Sequence, residues 1–169
     1  MLTARDERAR VRGAQRGSVS DLEALFRNHW PRAYRAAYLV THDEGAAEDI
    51  AQESFLAAIR ALDSFDRRRP FGPWLHRIVV NRAIDWTRVR RLRSEVELSE
   101  SLPATERSEL PRDDVLQALA RLPPEHRAVI VLRYLLEFTP GEIADVLDLP
   151  RGTVNSRLRR GLDTLVEEL

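Results

Sequence analysis

Apolar residues recur along most of the chain at the three- and four-residue spacing of an amphipathic helix. Neither a run of strict apolar and polar alternation nor an Asn-Gly or Asp-Gly hairpin signal occurs. The pattern therefore predicts an all-α protein. In the amino-terminal half it predicts one or two helices between Ser20 and Val40, with Pro31 near a helix start, and further helices over 48–62 and 74–93.

The composition changes between residues 94 and 111, where Ser, Glu and Pro are frequent and large apolar residues are few. Such a segment buries too little apolar surface to fold by itself, so we interpret it as a flexible acidic linker. Beyond it, four short helical patterns separated by breakers form a second domain over 112–169. The predicted organisation is two small helical domains, with a tail over 1–19 and the first domain over 20–93.

The second domain contains a pattern typical of a helix-turn-helix. Thr139-Pro140-Gly141-Glu142 is a capping box, so a helix is predicted to begin at residue 140. That helix ends near 148–150, and the next begins around 152–153 after a turn of about three residues, as in a helix-turn-helix. Helix pairs of this shape also occur in proteins that bind no DNA.

The last predicted helix has one packed side and one polar side. On a helical wheel Val154, Leu158 and Leu165 share the packed side. The opposite side, its edge and the amino-terminal end carry Arg151, Thr153, Asn155, Ser156, Arg157, Arg159 and Arg160. Arginine can pair with guanine, asparagine with adenine, and hydroxyl groups with phosphate. Because residues 151–160 hold four arginines and no acid, DNA contact is favoured over a merely solvated arginine face.

The long middle helix has a second face that suits nucleic acid. It mixes arginine, an amide and an aromatic ring, which is typical of proteins that hold single-stranded or distorted nucleic acid. A basic loop, residues 66–73, precedes it. The candidate residues of loop and helix are Arg67, Arg68, Arg69, Trp74, Arg77, Asn81 and Arg88. The alternatives are that Trp74 belongs to the core and that the three consecutive arginines are only solvated.

The helix predicted over 48–62 is acidic and has a candidate docking patch. Asp49, Gln52, Glu53 and Leu56 cluster on one side of it, away from a row of small residues. An exposed leucine surrounded by carboxylates suits a basic protein partner. The alternative is that Leu56 is buried under a neighbouring helix.

The net charge of zero conceals a strong segregation of sign. All 27 basic residues are arginine, and 27 acidic residues balance them. Residues 67–93 nevertheless carry nine arginines against one Asp, whereas residues 42–66 carry seven acids against one arginine. Neutrality is thus a cancellation between basic blocks and their acidic neighbours, and it does not argue against nucleic acid as a partner.

Several classes of protein are disfavoured by what the sequence lacks. Without cysteine there is no disulfide, thiolate zinc site or cysteine nucleophile. The four histidines show no ligand-like spacing, and neither a phosphate-binding glycine loop nor a Ser/His/Asp arrangement occurs. We therefore expect no enzyme, no metal and no cofactor. No stretch resembles a secretory signal or membrane span, so a soluble cytoplasmic protein is expected.

Three stretches, in order and spacing, resemble the bacterial extracytoplasmic-function (ECF) sigma factors of the sigma-70 family. They are AEDIAQESFLAAIRAL, FGPWLHRIVVNRAIDWTRVRR and LPPEHRAVIVLRYLLEFTPGEIADVLDLPRGTVNSRLRRGL. The resemblance covers roughly residues 20–93, called region 2 in that family, and 112–168, called region 4. Each motif alone is weak, but the three together are specific.

The resemblance implies an alternative sigma factor that binds core RNA polymerase and directs promoter-specific transcription initiation. Asp49, Gln52, Glu53 and Leu56 would bind the β′ clamp helices, and region 4 would contact the β flap. The loop and middle helix would capture unstacked bases of the minus-10 element, and the 151–168 helix would read the minus-35 element. The family usually pairs with an anti-sigma factor and, as holoenzyme, associates with the nucleoid.

One sequence difference and one alternative function limit what the resemblance implies. Many relatives have arginine where Asn155 stands, so the promoter sequence cannot be transferred. The best rival is a free-standing, dimeric helix-turn-helix regulator, which the second domain alone would satisfy. In that protein the basic block over 67–93 would have no role.

Overall fold

The computed structural model describes residues 3–98 and 114–169, with side chains described up to Ser94 in the first range. Every regular element in these ranges is helical, which confirms the all-α prediction. In chain order the elements are α1 (Ala4–Gln15), α2 (Val19–Thr41), α3 (Glu44–Arg60), a 3-10 turn (Leu62–Ser64), α4 (Phe71–Leu98), α5 (Asp114–Arg121), α6 (Pro124–Ile130), a π-helical turn (Val131–Leu135), α7 (Pro140–Leu147) and α8 (Arg151–Glu168).

Helices α2, α3 and α4 form the bundle of the first domain. Their buried faces are rich in alanine, including Ala36, Ala47 and Ala83, each fully buried. Small side chains let the helices approach closely, and larger residues such as Leu75 and Val79 fill the space between them. The exposed faces of α3 and α4 are thereby left for other partners.

The segment expected to be a tail over 1–19 contains helix α1. Thr3 caps this helix by accepting a hydrogen bond from the Asp6 amide, and Val11 and Ala14 are buried against the bundle. Only these two residues give α1 an apolar side. The arginine-rich sequence around them obscures that pattern, which is why the tail interpretation missed the helix.

Residues 20–40 form one continuous helix, and Pro31 lies in its interior and not near a start. A proline inside a helix removes one backbone hydrogen bond and leaves a carbonyl unpaired. Pro31 is exposed. Its position on the outer side of α2 lets solvent satisfy the freed carbonyl, so the helix continues.

Helix α4 is longer than the prediction at both ends. It begins at Phe71, three residues before the predicted start, and runs to Leu98, past the point where the linker was expected to begin. The remainder of the predicted linker, residues 99–111, lies outside the described residues. The helix packs in the bundle as far as Thr87, which is buried, and Arg90 pairs with Asp43 at 2.7 Å, whereas residues 88–94 are exposed.

Helices α5 to α8 form the second domain. The predicted capping box is present: the Glu142 amide donates to Thr139 Oγ1 and the Thr139 amide donates to the Glu142 carboxylate. The Glu142 carboxylate accepts hydrogen bonds from the Thr139 amide and from the Thr139 hydroxyl, and these two bonds lower the pKa of Glu142. Gly161 packs so closely that a Cβ there would lie 3.2 Å from the Ile130 side chain. This contact fixes α8 against α6.

The two domains pack against each other through arginines that donate to backbone carbonyls. Buried Arg127 donates to the carbonyl oxygens of Val40 (2.7 Å) and Leu122 (2.9 Å). Arg32 donates through Nε to the Leu135 carbonyl, 3.1 Å away. Burial lowers the pKa of Arg127 to about 10, and burial together with Arg127 lowers the pKa of His42 to about 4. At neutral pH the arginine is therefore charged and the histidine neutral.

Candidate nucleic-acid interfaces and docking surface

Helices α7 and α8 have the geometry of a helix-turn-helix. Helix α7 ends at Asp148, which adopts a left-handed conformation with φ 52°, and the Leu149 amide returns to the Ala144 carbonyl at 3.0 Å. Helix α8 begins at Arg151. Val154 and Leu158 are buried, and they set the rotation of α8 about its axis. The turn and these apolar contacts aim the polar side of α8 away from the core.

The structure leaves most of the predicted α8 contact residues exposed. Arg151, Asn155, Ser156, Arg159 and Arg160 are exposed, whereas Thr153 and Arg157 are half-buried. The Ser156 hydroxyl donates to the Thr153 carbonyl at 2.9 Å. Burial, followed by the nearby Arg157 and Arg160, lowers the pKa of His126. The exposed side of α8 carries a positive charge because residues 151–160 hold four arginines and no acid.

The candidate residues of α4 and its loop line a second basic surface. Arg77, Arg88 and loop arginines Arg67, Arg68 and Arg69 are exposed, and Asn81 is half-buried. Trp74 is also half-buried, and its ring lies 4.5 Å from that of Phe65 between centroids. The ring thus belongs partly to the core and partly to the surface.

The basic loop has an ordered turn. The Asp66 carboxylate accepts from the Arg68 amide and from Arg68 Nε, each at 3.0 Å, and the Asp66 carbonyl accepts from the Arg69 amide at 2.9 Å. The hydrogen bonds from Arg68 lower the pKa of Asp66. The single acid of the loop is thus used to shape it, and Arg67 remains exposed.

The two basic surfaces meet at the boundary between the domains. Arg77 donates to the Asp145 carbonyl on α7 at 3.1 Å. Asn81 and Arg88 line one cavity together with Leu149 and with Arg157 of α8. In this arrangement the second domain packs against the basic face of α4. Sequence patterns do not reveal this contact.

The acidic helix α3 presents its predicted docking patch to solvent. Asp49, Gln52 and Glu53 are exposed, and Leu56 is 51% exposed, so the alternative of a buried leucine is wrong. Glu53 pairs with Arg82 of α4 at 3.0 Å. The opposite face of α3 is buried in the bundle.

The apolar part of this surface extends beyond Leu56, the one apolar residue that the sequence pattern predicted there. Ile59, one turn beyond Leu56 on α3, is 46% exposed, and Phe26 of α2 is 40% exposed. The Phe26 ring lies 4.8 Å from that of Phe55 between centroids, which joins the two helices at the surface. The three-residue spacing of Leu56 and Ile59 was a signal for one continuous stripe. We call Phe26, Leu56 and Ile59, with Asp49, Gln52 and Glu53, the acidic-apolar patch.

The described ranges offer no cluster of three or more histidine and acidic side chains that could hold a metal ion. Across the same residues no helix combines the length and apolarity needed to span a membrane. The surfaces that remain for function are therefore the basic side of α8, the basic face of α4 with its loop, and the acidic-apolar patch.

Comparison with known proteins places these surfaces in a family. The models of Sigma-70 region 2 and Sigma-70 region 4 match residues 25–93 and 112–165. The ECF RNA polymerase sigma factor SigW of Bacillus subtilis is 32% identical over 178 residues, covering 94% of this chain and 92% of SigW. The chain therefore belongs to the ECF RNA polymerase sigma factors of the sigma-70 family.

Solved structures agree with this assignment. The structure of CnrH in complex with the cytosolic domain of CnrY matches with a TM-score of 0.70 and 30% identity, covering 95% of each chain. The sigma factor RpoE of Bartonella quintana, solved with the anti-sigma factor NepR, has the same fold at a TM-score of 0.70 and 24% identity, covering 89% of this chain and 97% of RpoE.

Proposed function

We propose that this sigma factor assigns three tasks to three surfaces. The acidic-apolar patch binds the β′ clamp helices of core RNA polymerase, α4 and its loop capture the minus-10 element, and α8 reads the minus-35 element, while the second domain also contacts the β flap. The observation that carries this proposal is the separation of charge: two basic, polar surfaces suit DNA, and the acidic surface with exposed apolar side chains suits a protein.

We assign recognition of the minus-35 element to the exposed side of α8. A helix of this kind fits the major groove, where arginine pairs with guanine and asparagine with adenine. Arg151 and Thr153 lie in the first turn, beside the unpaired amides that favour phosphate. Asn155, Arg159 and Arg160 are exposed further along the helix and are placed to reach base edges and backbone.

Capture of the minus-10 element uses a different chemistry. Arg77 and Arg88 hold the backbone of the non-template strand, and the Asn81 amide offers a donor and an acceptor to an unstacked base. The half-buried ring of Trp74, which packs on Phe65, offers its exposed part for stacking against such a base. A base trapped outside the stack cannot pair again, so binding energy opens the duplex without ATP.

This function requires no catalytic group, metal or cofactor of the chain's own, and we place the protein in the cytoplasm, on the nucleoid when it is part of holoenzyme. We further propose that an anti-sigma factor holds it inactive, as NepR is the anti-sigma factor found bound to RpoE. An inhibitor that covers the acidic-apolar patch would exclude polymerase directly.

Reconstitution tests the proposal. The purified chain is combined with core polymerase and a library of fragments with randomised minus-35 and minus-10 positions, and the transcripts are sequenced. We expect one enriched promoter class that core polymerase alone does not use. Binding of palindromic DNA by the isolated chain, with no effect on transcription, would contradict the proposal and favour the dimeric regulator.

Replacement of Arg160 by alanine tests the role of α8. With the promoter enriched above, we expect Arg160→Ala to weaken holoenzyme binding to the minus-35 element about tenfold or more, because a bidentate base contact contributes about 1–3 kcal/mol. Arg160 lies on α8, outside the acidic-apolar patch, so affinity for core polymerase should stay unchanged. Both affinities are measured by fluorescence anisotropy.

Arg35→Ala is the matched control, since Arg35 is an exposed arginine on α2, remote in sequence from the helix-turn-helix. It should leave minus-35 affinity at the wild-type value. Equal loss of promoter and polymerase binding in Arg160→Ala, or equal loss in the two variants, would refute the assignment of α8.

A further inference from the structure

Helix α1 lies outside the residues that the region 2 model matches, which begin at residue 25. It is nevertheless a folded part of the first domain, capped by Thr3 and buried through Val11 and Ala14. Two of its polar side chains reach the segment between α3 and α4. These contacts give α1 a task that the proposed division of surfaces does not include.

The first contact is made by the last residue of α1. The Gln15 side-chain amide donates to the carbonyl oxygens of Leu62 (2.8 Å) and Phe65 (3.1 Å). These carbonyls belong to the chain immediately before the basic loop. One side chain thereby fixes the entrance of the loop to α1.

The second contact is made by Glu7, near the other end of α1. Its Oε1 accepts from the Gly72 amide at 3.2 Å and lies 2.8 Å from His29 Nε2. The Glu7 and His29 side chains are only 15% and 10% exposed. Gly72 is in the first turn of α4, where amides lack helical partners and a carboxylate is favourable. Glu7 therefore fixes the exit of the loop.

The residue at the exit is suited to this approach. A Cβ on Gly72 would lie 3.0 Å from the His29 ring and 3.8 Å from Glu7 Oε1. A side chain at this position would require the His29 ring to shift by a few tenths of an ångström. The space that Glu7 and His29 occupy around this amide is thus closely filled.

Between these two anchor points the chain carries Arg67, Arg68 and Arg69, all exposed. Asp66 shapes the turn within the loop but makes no contact that ties it to the bundle in the described structure. Asp66 orients the Arg68 guanidinium within the turn, whereas the position of the whole turn relative to α4 depends on its two ends. There Gln15 and Glu7 make their hydrogen bonds, and Phe65 and Phe71 are buried.

We propose that α1 is a positioning element, in which Glu7 and Gln15 hold the two ends of the basic loop so that Arg67, Arg68 and Arg69 meet the phosphates of the minus-10 strand. This inference rests on the proposed role of the loop in minus-10 capture. Glu7 and Gln15 touch no DNA themselves, and they act by restricting where the loop arginines can lie.

The test uses holoenzyme assembled from core polymerase and full-length variants. Glu7→Ala should reduce open-complex formation about tenfold, the effect of losing one hydrogen bond to a charged group. Permanganate reactivity of promoter thymines measures the opening. Glu7→Gln, whose amide oxygen still accepts from Gly72, should restore most of it. The control is Glu23→Ala, an exposed carboxylate on α2, which should open promoters as wild type does.

Two readouts separate positioning from a loss of fold. Glu7→Ala should retain wild-type affinity for core polymerase, and the slope of log affinity for the promoter against log salt should fall in magnitude, because each lost phosphate contact removes about 0.7–0.9 from it. A Glu7→Ala variant that loses polymerase binding and opening together, with the slope unchanged, overturns the inference.

A double-mutant comparison decides whether Glu7 acts through the loop. In a background where Arg67, Arg68 and Arg69 are all alanine, Glu7→Ala should cause no further loss. An equal loss in both backgrounds overturns the inference. Wild-type opening by the triple-alanine protein refutes the proposed role of the loop itself, whereas a defective triple variant with a normal Glu7→Ala refutes only the role of α1.

Discussion

Replacement of Leu56 by arginine is expected to abolish binding of this sigma factor to core polymerase. The Leu56 side chain is 51% exposed at the centre of the acidic-apolar patch, so its exposed part is available to a partner. Burying the rest of the leucine contributes roughly 1 kcal/mol. A guanidinium forced into the desolvated centre of an interface costs several times more, about 2–4 kcal/mol for residues of this kind.

The charge of the new residue acts in the same direction. Asp49 and Glu53 make the surroundings of Leu56 negative, which suits a basic partner. An arginine placed between them lowers that attraction and offers them an internal ion pair. The combined loss of binding free energy for core polymerase exceeds about 3 kcal/mol, which corresponds to a more than hundredfold lower affinity. Capture of core polymerase by the tagged sigma factor measures it.

A matched control is available on α4. Leu92 is 62% exposed and lies outside the acidic-apolar patch, so Leu92→Arg makes the same chemical change elsewhere. It should preserve capture of polymerase. Because Leu56 is not part of the buried core, both variants should unfold at nearly the wild-type temperature. Normal capture by a folded Leu56→Arg protein would move the docking surface to another part of the chain.

The exposure of Leu56 shows which features of a binding site can be predicted from the sequence and which cannot. The helical wheel placed Leu56 beside Asp49 and Glu53, and all three side chains are exposed on α3. Whether a neighbouring helix covers the leucine depends on packing, which no local pattern records. Phe26 was missed for the same reason, since it joins the patch only because α2 and α3 pack side by side.

Sequence patterns predicted a helix boundary correctly where a capping side chain and its partner are close in sequence. The capping box at Thr139 depends on residues three apart, and its helix begins where expected. Helix α1 was missed because its stability comes from two buried side chains and from contacts with distant residues. Arg127 directly precedes the apolar run 128–132, yet only the folded chain reveals that its guanidinium reaches the Val40 carbonyl across the domain boundary.

The contact between the two domains should affect how the free protein binds DNA. Arg77 and Asn81 of the proposed minus-10 face lie against α7 and the cavity shared with Arg157. A strand of DNA cannot occupy the same face until the second domain moves away. The isolated chain should therefore bind the minus-10 strand weakly, and a variant that loosens the domain contact should bind it more tightly.

Arg32→Ala is the variant that tests this expectation. Arg32 donates to the Leu135 carbonyl and lies 3.5 Å from the Glu137 carboxylate, and it is not part of the proposed DNA surfaces. Loss of these contacts weakens the closed arrangement by about 1.5–3 kcal/mol. We expect the isolated variant to bind a single-stranded minus-10 oligonucleotide at least about tenfold more tightly. The oligonucleotide binds only the open form, so its apparent affinity rises as the closed form becomes less stable.

Arg35→Ala, an exposed arginine three residues further along α2, is the control and should bind the oligonucleotide as wild type does. Because the chain has no cysteine, two introduced cysteines, one in each domain, can carry fluorophores that report the distance between the domains. That distance should increase in Arg32→Ala and not in Arg35→Ala. If the distance increases and oligonucleotide affinity does not, the second domain does not obstruct the α4 face. We expect core polymerase to hold the two domains apart in holoenzyme. Arg32→Ala should then leave the promoter affinity of holoenzyme unchanged, because the contact that it removes is no longer made.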